Sequence, residues 1–192
     1  MYDIFQKYMD SKIVLSQEQS DWIRSLSRVK KIRKYQYLLQ EGDICRHHAF
    51  VTKGCLRSYS VDGDGMEHIV KFAVENWWVA DRDSLMSGEP AKLNIDAVED
   101  SEAVLLTRQH FDLICQQIPA FNNMVNDLLQ SAYNALQNRV LAIVSLSASE
   151  KYEYFLQRYS DLALRIPQGM IASYLGMAPE TLSRARNQIM SK

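Results

Sequence analysis

Near the C-terminal end, Thr181, Ser183, Arg184, Asn187 and Gln188 are spaced to share the outer side of a helix, and Leu182, Ala185 and Ile189 supply its inner side. Arg186 falls towards the flank. Such side chains suit a groove lined with acceptors and donors: arginine can reach both acceptors of guanine, Asn or Gln can pair with adenine, and Ser or Thr can hold a phosphate. The other chemistry-bearing residues are less well arranged. His47-His48 and His68 could suggest a metal in a β-barrel, but barrel ligands need an alternating His-x-His plus a glutamate, and adjacent strand residues point to opposite faces. Cys45, Cys55 and Cys115 show no CxxC spacing, so they read as reduced structural thiols. Asp81 and Asp83 read as solvated loop acids. No Ser-His-Asp set, glycine-rich phosphate loop or Cys-His arrangement stands out, which argues against an enzyme.

The groove-facing residues need a scaffold, and the preceding residues provide one. Ile171, Ala172 and Leu175 form the apolar face of a short helix, and Gly176 stands where a left-handed residue would end it and redirect the chain. Pro179 suits the first position of a second helix, and Glu180 suits its positive dipole end. Ala172 is small enough for two helices to cross closely. The spacing predicts a helix-turn-helix.

Upstream, Ser16-Gln-Glu-Gln19 is a capping box opening a helix to about Leu26, with Trp22, Ile23 and Leu26 on one face. From Val29 to about Arg108 the pattern changes to short β-rich runs: Tyr35–Leu39, Ala49–Thr52, Leu56–Val61, His68–Ala73, Trp77–Val79, Asn94–Val98 and Ala103–Thr107. Turn signals separate them, the clearest being Asp62-Gly-Asp-Gly65, after which Ile69/Lys71 alternate with Val70/Phe72 as inner and outer faces. Of Trp77 and Trp78, which must point oppositely, at least one should be buried. Many short strands without long intervening helices predict an antiparallel β-roll or jelly-roll.

Helix is expected from Arg108, with a break at Pro119. Phe121, Met124 or Val125, Leu128, Ala132, Leu136, Val140 and Ile143 then form an apolar stripe on a long helix, predicted to meet a second copy of the chain. Ser149–Tyr159 reads as another amphipathic helix and Ala163–Pro167 as a connector. The expected fold is therefore α+β, with a sensor-type β-roll over 1–118, a dimerisation helix over 119–146 and a helix-turn-helix domain over 147–192.

The 192 residues carry a net charge of −1, which does not suggest a nucleic-acid binder until its distribution is considered. Arg165, Arg184, Arg186 and Lys192 against Glu180 give the last segment +3 and leave the remainder at −4. A basic tail on an acidic body can face phosphates while the body repels them. No run approaches the roughly 18 apolar residues of a membrane span, and the N-terminus has neither a basic nor an apolar targeting region, so no membrane and a cytoplasmic location are expected.

Ile171-Ala-Ser-Tyr-Leu-Gly-Met-Ala-Pro-Glu-Thr-Leu-Ser-Arg184 resembles the helix-turn-helix signature of the Crp/Fnr regulators, and the order of β-roll, long helix and reading domain resembles that family over nearly the whole chain. The resemblance implies a homodimeric transcription regulator that binds double-stranded DNA, responds to a small-molecule effector and has RNA polymerase as a further partner. It places Glu180 and Arg184 at base-reading positions, and Gln168, Thr181 and Ser183 at phosphate-contacting or helix-positioning ones; Asn187 and Gln188 complete the expected interface. Pro179 stands where an arginine is frequent, so the operator does not carry over.

The Gly-Glu and Arg-Ser pairs with which cyclic-nucleotide members hold ribose and phosphate align with Ala80-Asp81 and with Ala91-Lys92 or Lys92-Leu93. Lys92 offers a point charge without the arginine fork, so cyclic AMP is not expected. The resemblance places an effector pocket at Ala80, Asp81, Arg82, Lys92 and Leu93 with Leu136 and Gln137, and leaves its ligand and any cofactor unassigned. It also implies a truncated wing, with Lys192 as a substitute phosphate contact. The competing expectation is a sensor module acting through protein contacts without DNA.

Overall fold

The computed structural model describes residues 2–190 and separates into two compact units. The first comprises the chain to Ser60 and Val70–Asp127; the second comprises Val61–Ile69 and the chain from Leu128.

The first unit begins with α1 (Tyr2–Asp10) and α2 (Gln17–Leu26). The capping box of α2 forms as expected: the Ser16 hydroxyl accepts from the Gln19 amide at 3.2 Å, and the Gln19 side chain accepts from the Ser16 amide at 2.9 Å. Eight strands follow in chain order: β1 (Arg28–Ile32), β2 (Tyr37–Leu39), β3 (His47–Lys53), β4 (Leu56–Val61), β5 (Glu67–Ala73), β6 (Trp78–Val79), β7 (Asn94–Ala97) and β8 (Ser101–Thr107), with α3 (Arg82–Ser87) between β6 and β7. They form two four-stranded sheets, β1-β8-β3-β6 and β2-β7-β4-β5, whose registered pairs are antiparallel. The fold is α+β and jelly-roll-like.

Ile32, Leu39, Val51, Leu56, Val79, Leu85, Ile95 and Leu105 belong to the buried core of the roll. A second layer is aromatic: Phe5 of α1 packs on Phe50 and Trp78 at ring separations of 5.0 and 5.8 Å, and Trp78 meets Phe111 at 5.6 Å. Trp77, just before β6, packs against the roll core while Trp78 joins the aromatic layer; both are half-buried, so the expectation that at least one is buried is corrected. At Gly54 (φ +88°) the close approach of another strand requires glycine, since a Cβ would lie 2.8 Å from the Asp100 carbonyl oxygen.

The expected inner and outer alternation on β5 is corrected. Ile69 is buried and Val70 exposed, but Phe72 is buried as well. β2 starts at Tyr37 rather than Tyr35, because Tyr35 occupies a left-handed turn (φ +65°).

After β8, Thr107 caps α4 (Arg108–Gln117), and α5 (Pro119–Ser145) begins at the proline expected to break the helix. The remaining helices are α6 (Ala148–Arg158), α7 (Ser160–Arg165), α8 (Gln168–Tyr174) and α9 (Pro179–Met190). Ser147 and Glu150 form a second capping box at the start of α6. The connector expected over Ala163–Pro167 is corrected by α7, which buries Leu162 and Ala163 and leaves only Ile166-Pro167 as the link to α8. No helix among the described residues is long and apolar enough to cross a membrane.

The apolar stripe of α5 divides. Phe121 and Met124 are buried in the chain itself, with Phe121 edge-on to Phe111 at 5.3 Å, while Leu128 and Ile143 are half-buried. Leu136 and Val140 of the expected stripe are exposed, and with Leu129, Tyr133 and Val144 they form an exposed apolar face stepping by three or four residues.

Candidate nucleic-acid interface

In the second unit, α8, a four-residue turn and α9 form the helix-turn-helix that the spacing predicted. Ile171, Ala172, Leu175, Leu182 and Ala185 are each below 5% exposed and make its core. The turn follows from backbone chemistry. Gly176 adopts φ +65°, its amide bonds to the Ser173 carbonyl at 3.1 Å, and the Met177 amide reaches back to the Ala172 carbonyl at 3.0 Å. These bonds satisfy the carbonyls that the end of a helix leaves free, in a geometry glycine adopts without penalty. Pro179, lacking an amide hydrogen, starts α9 at no cost in hydrogen bonds, and the Thr181 and Leu182 amides both return to the Ala178 carbonyl.

This packing leaves Glu180, Ser183, Arg184 and Asn187 exposed at positions i, i+3, i+4 and i+7, one continuous stripe on the side of α9 away from Leu182 and Ala185. Arg186 is exposed beside it. Thr181 is half-buried, closer to the packed side. Gln188 is exposed, and its side-chain oxygen accepts a hydrogen bond from Ser149 of α6 at 2.8 Å, which braces α9 from behind. Gln168 opens α8 and is half-buried, with a buried Oε1 that has no hydrogen-bond partner among the described residues. Lys192 lies outside the described residues.

The residues aligned with an effector site fall in both units. In the first, Asp81 is 3% exposed and serves the chain itself. One carboxylate oxygen caps α3 through the Ser84 amide at 3.2 Å; the other accepts from the Lys92 and Leu93 amides at 3.1 and 3.2 Å. Reading Asp81 as a solvated loop acid is therefore corrected. Its carboxylate stitches the loop before β7 to the start of α3 and takes up two backbone donors of that loop. Lys92 is exposed and bonds Asp83 at 2.8 Å, a contact that raises the pKa of its ammonium. Ala80 and Leu93 are half-buried, and Arg82 is exposed. Leu136 and Gln137 lie on α5 in the second unit, both exposed, with Gln137 bonded to Tyr133 at 3.2 Å.

The histidines are occupied elsewhere. His48 stacks on Phe111 at 3.8 Å, and burial lowers its pKa to about 4. Burial and the neighbouring Lys30, Arg28 and Arg46 push His47 down, and His68 pairs with Asp62 at 2.6 Å. Among the described residues no group of three or more His, Cys, Asp or Glu gathers as a metal would require.

A model of the cyclic nucleotide-binding domain matches residues 29–118, the segment that folds as the β-roll. The chain is 26% identical over 170 residues to the regulatory protein HlyX of Actinobacillus pleuropneumoniae, covering 83% of this chain and 70% of that one. It is 24% identical to the transcriptional activator protein Anr of Pseudomonas aeruginosa, again over 83% of this chain and 69% of that one. The chain is thus similar to regulators of the Crp/Fnr type, in line with the resemblance carried by its helix-turn-helix sequence. Its fold is similar to that of FixK2 from Bradyrhizobium japonicum, with a TM-score of 0.75, 22% identity, and coverage of 86% of this chain and 85% of that one.

Two features of the site and roll were not anticipated from sequence. One is the Asp81 bridge, formed between residues 11 and 12 positions apart. The other is a buried Arg57–Asp96 pair in the roll, with Nε–Oδ1 at 2.8 Å and Nη2–Oδ2 at 3.0 Å. Tyr59 closes over this pair, its hydroxyl 3.3 Å from Asp96 and its ring 4.2 Å from the guanidinium. The only signal in the sequence was one charged residue of opposite sign in each of two short strands, Arg57 in β4 and Asp96 in β7.

Proposed function

We propose that this chain is a homodimeric regulator of transcription that reads double-stranded DNA with α9 and takes its input at the β-roll. The observation carrying the proposal is the Glu180, Ser183, Arg184, Asn187 stripe, presented to solvent by a helix whose opposite side is locked by Leu182 and Ala185. Arg184 reads a base edge, Glu180 and Asn187 add donors and acceptors beside it, and Ser183, Thr181 and Gln168 set the helix against the phosphates. Gln188 acts chiefly as a brace through Ser149.

Dimerisation supplies the second reading helix. At 27 residues α5 is about 40 Å long. Its exposed stripe from Leu129 to Val144 is the seam a second copy would cover, bringing two copies of α9 to the roughly 34 Å spacing of successive major grooves. The relatives named as regulators favour binding over catalysis, a cytoplasmic site of action and RNA polymerase as a further partner. With its loop amides held by Asp81, the β-roll suits an input other than a cyclic phosphate, at a site that includes Ala80, Arg82, Lys92 and Leu93.

The test is selection of bound sequences from a random duplex pool at two salt concentrations, with Arg184→Ala alongside. The expected result is an inverted repeat at both salts and, for the variant, a loss of about 1–3 kcal/mol of discrimination at one base pair of each half-site. Enrichment that is independent of Arg184, or no enrichment at either salt, would overturn the assignment of α9 as the reading helix.

A further inference from the structure

The β4–β5 hairpin ends in a tight turn: the Gly65 amide bonds the Asp62 carbonyl, the Asp62 amide bonds the Met66 carbonyl, and the Asp62 carboxylate accepts from the Asp64 and Met66 amides. Its tip, Val61–Ile69, belongs to the same compact unit as the helix-turn-helix. Among the described residues β5 is the last strand of its sheet, so the amides and carbonyls of its outer edge turn to elements other than strands. The helix-turn-helix takes these groups instead. The Ser173 hydroxyl of α8 accepts from the Ile69 amide at 2.9 Å and donates to the Glu67 carbonyl at 2.8 Å.

The Ile69 carbonyl is taken by Arg139 of α5, whose Nη2 lies 3.0 Å from it and 2.7 Å from the Tyr174 carbonyl at the end of α8. The same guanidinium lies 3.9 Å over the Tyr174 ring, which packs against Phe155 and Tyr159. A cation at the C-terminal end of a helix is electrostatically favoured, and a planar guanidinium can bridge two carbonyls while stacking on an aromatic face, which an ammonium cannot. Arg139 also immediately precedes Val140, a member of the exposed stripe on α5. Three elements thus meet at one side chain: the hairpin tip, the end of the helix preceding the Gly176 turn, and the helix bearing the proposed dimer seam.

We propose that Arg139 is a positioning residue for DNA reading, which locks the hairpin tip and the last turn of α8 to α5 so that a displacement of the β4–β5 hairpin is delivered to α9. The proposal rests on the DNA-reading role assigned above, and it gives that role a route of control. Ser173 is the second fastener. The Gly176 turn joins the locked end of α8 to the start of α9 by four residues, so a tilt at Tyr174 re-aims the Glu180–Asn187 stripe.

The experiment has two arms. The first needs no DNA: amide hydrogen exchange on the full chain and on Arg139→Gln, Arg139→Lys, Ser173→Ala, Asp62→Ala and the Asp62→Ala/Arg139→Gln double variant. Arg139→Gln should speed exchange at Ile69 and through Ser173–Gly176 by at least about tenfold, while the Leu182 amide keeps its protection. Arg139→Lys should restore part of this, and Ser173→Ala should release Ile69 even if Arg139→Gln fails to fold. Because Ser173 also fastens the tip, Asp62→Ala should loosen the end of α8 less once Arg139 is removed. Unchanged exchange at Ile69 in Arg139→Gln and Ser173→Ala, or an effect of Asp62→Ala that is undiminished without Arg139, would overturn the proposal.

The second arm measures affinity for the selected operator in the same Asp62/Arg139 cycle. Arg139→Gln should weaken binding about tenfold for matched and mismatched sites alike, leaving their ratio intact, and the two substitutions should be non-additive. Additive effects would overturn the coupling. If the parent chain selects no operator, the DNA-reading role fails, and the exchange arm alone decides whether Arg139 locks the hairpin to α8.

Discussion

Replacing Val140 with glutamate places a charge in the middle of the exposed stripe on α5. Leu129, Tyr133, Leu136, Val140 and Val144 are 37, 56, 54, 51 and 80% exposed, an unusual concentration of apolar surface on one helix. Val140 already buries about half of itself in its own chain, so covering the remainder in a dimer is worth about 1 kcal/mol per protomer. A twofold seam contains the substitution twice, giving about 2 kcal/mol of lost burial. Two carboxylates brought into an apolar seam add at least about 2 kcal/mol more in lost hydration and mutual repulsion. The total of about 4 kcal/mol corresponds to self-association weakened about a thousandfold. Sedimentation velocity over a concentration series should show the parent as a dimer and Val140→Glu as a monomer at the same concentration. Asn138→Glu, half a turn away on the opposite side of α5, should remain dimeric. A Val140→Glu chain that stays dimeric down to the concentration at which the parent itself dissociates would refute the seam, and equal weakening by both variants would show that charge on the helix, rather than its apolar stripe, controls association.

Two further predictions concern the β-roll. Asp96→Ala leaves the Arg57 guanidinium buried without its carboxylate and should cost about 3–5 kcal/mol in urea unfolding; a loss under 1 kcal/mol would show that water reaches the site. His48 is held neutral, with its pKa lowered from 6.5 to about 4, so the unfolded chain binds the proton more readily than the folded one. Stability from this residue should be complete above pH 6.5 and fall by about 3 kcal/mol as the pH drops to about 4. The pH dependence of unfolding in the parent minus that in His48→Phe measures this, and identical slopes would contradict it.

Much of the reading domain was legible because its rules are short-range. A left-handed glycine at 176, a proline at 179 and apolar residues three and four apart act within a few residues of where they stand, whatever the rest of the chain does. The Asp62–Gly65 hairpin and the Ser16 capping box are legible for the same reason. Tyr2, Phe5 and Met9 carried a helical spacing too, but α1 takes its value from aromatic contacts with Phe50 and Trp78, which no local window contains. α7 had even less to announce it, being six residues long and lacking a side-chain cap, and it is held by the burial of Leu162 and Ala163.

The sequence by itself therefore determined most strands, the long helix, the helix-turn-helix and the chemistry of its outer face, because each depends on backbone preference and periodicity within a few residues. Tertiary structure decided which apolar face of α5 is free, since Phe121 and Met124 were apolar enough for either use and only packing assigned them inward. It also decided that Asp81 serves its own loop, that Arg57 meets Asp96 across 39 residues, and that Ser173 receives the Ile69 amide across 104. These pairings join polar groups that burial obliges to find a partner, and which partner is within reach depends on how the strands and helices are stacked.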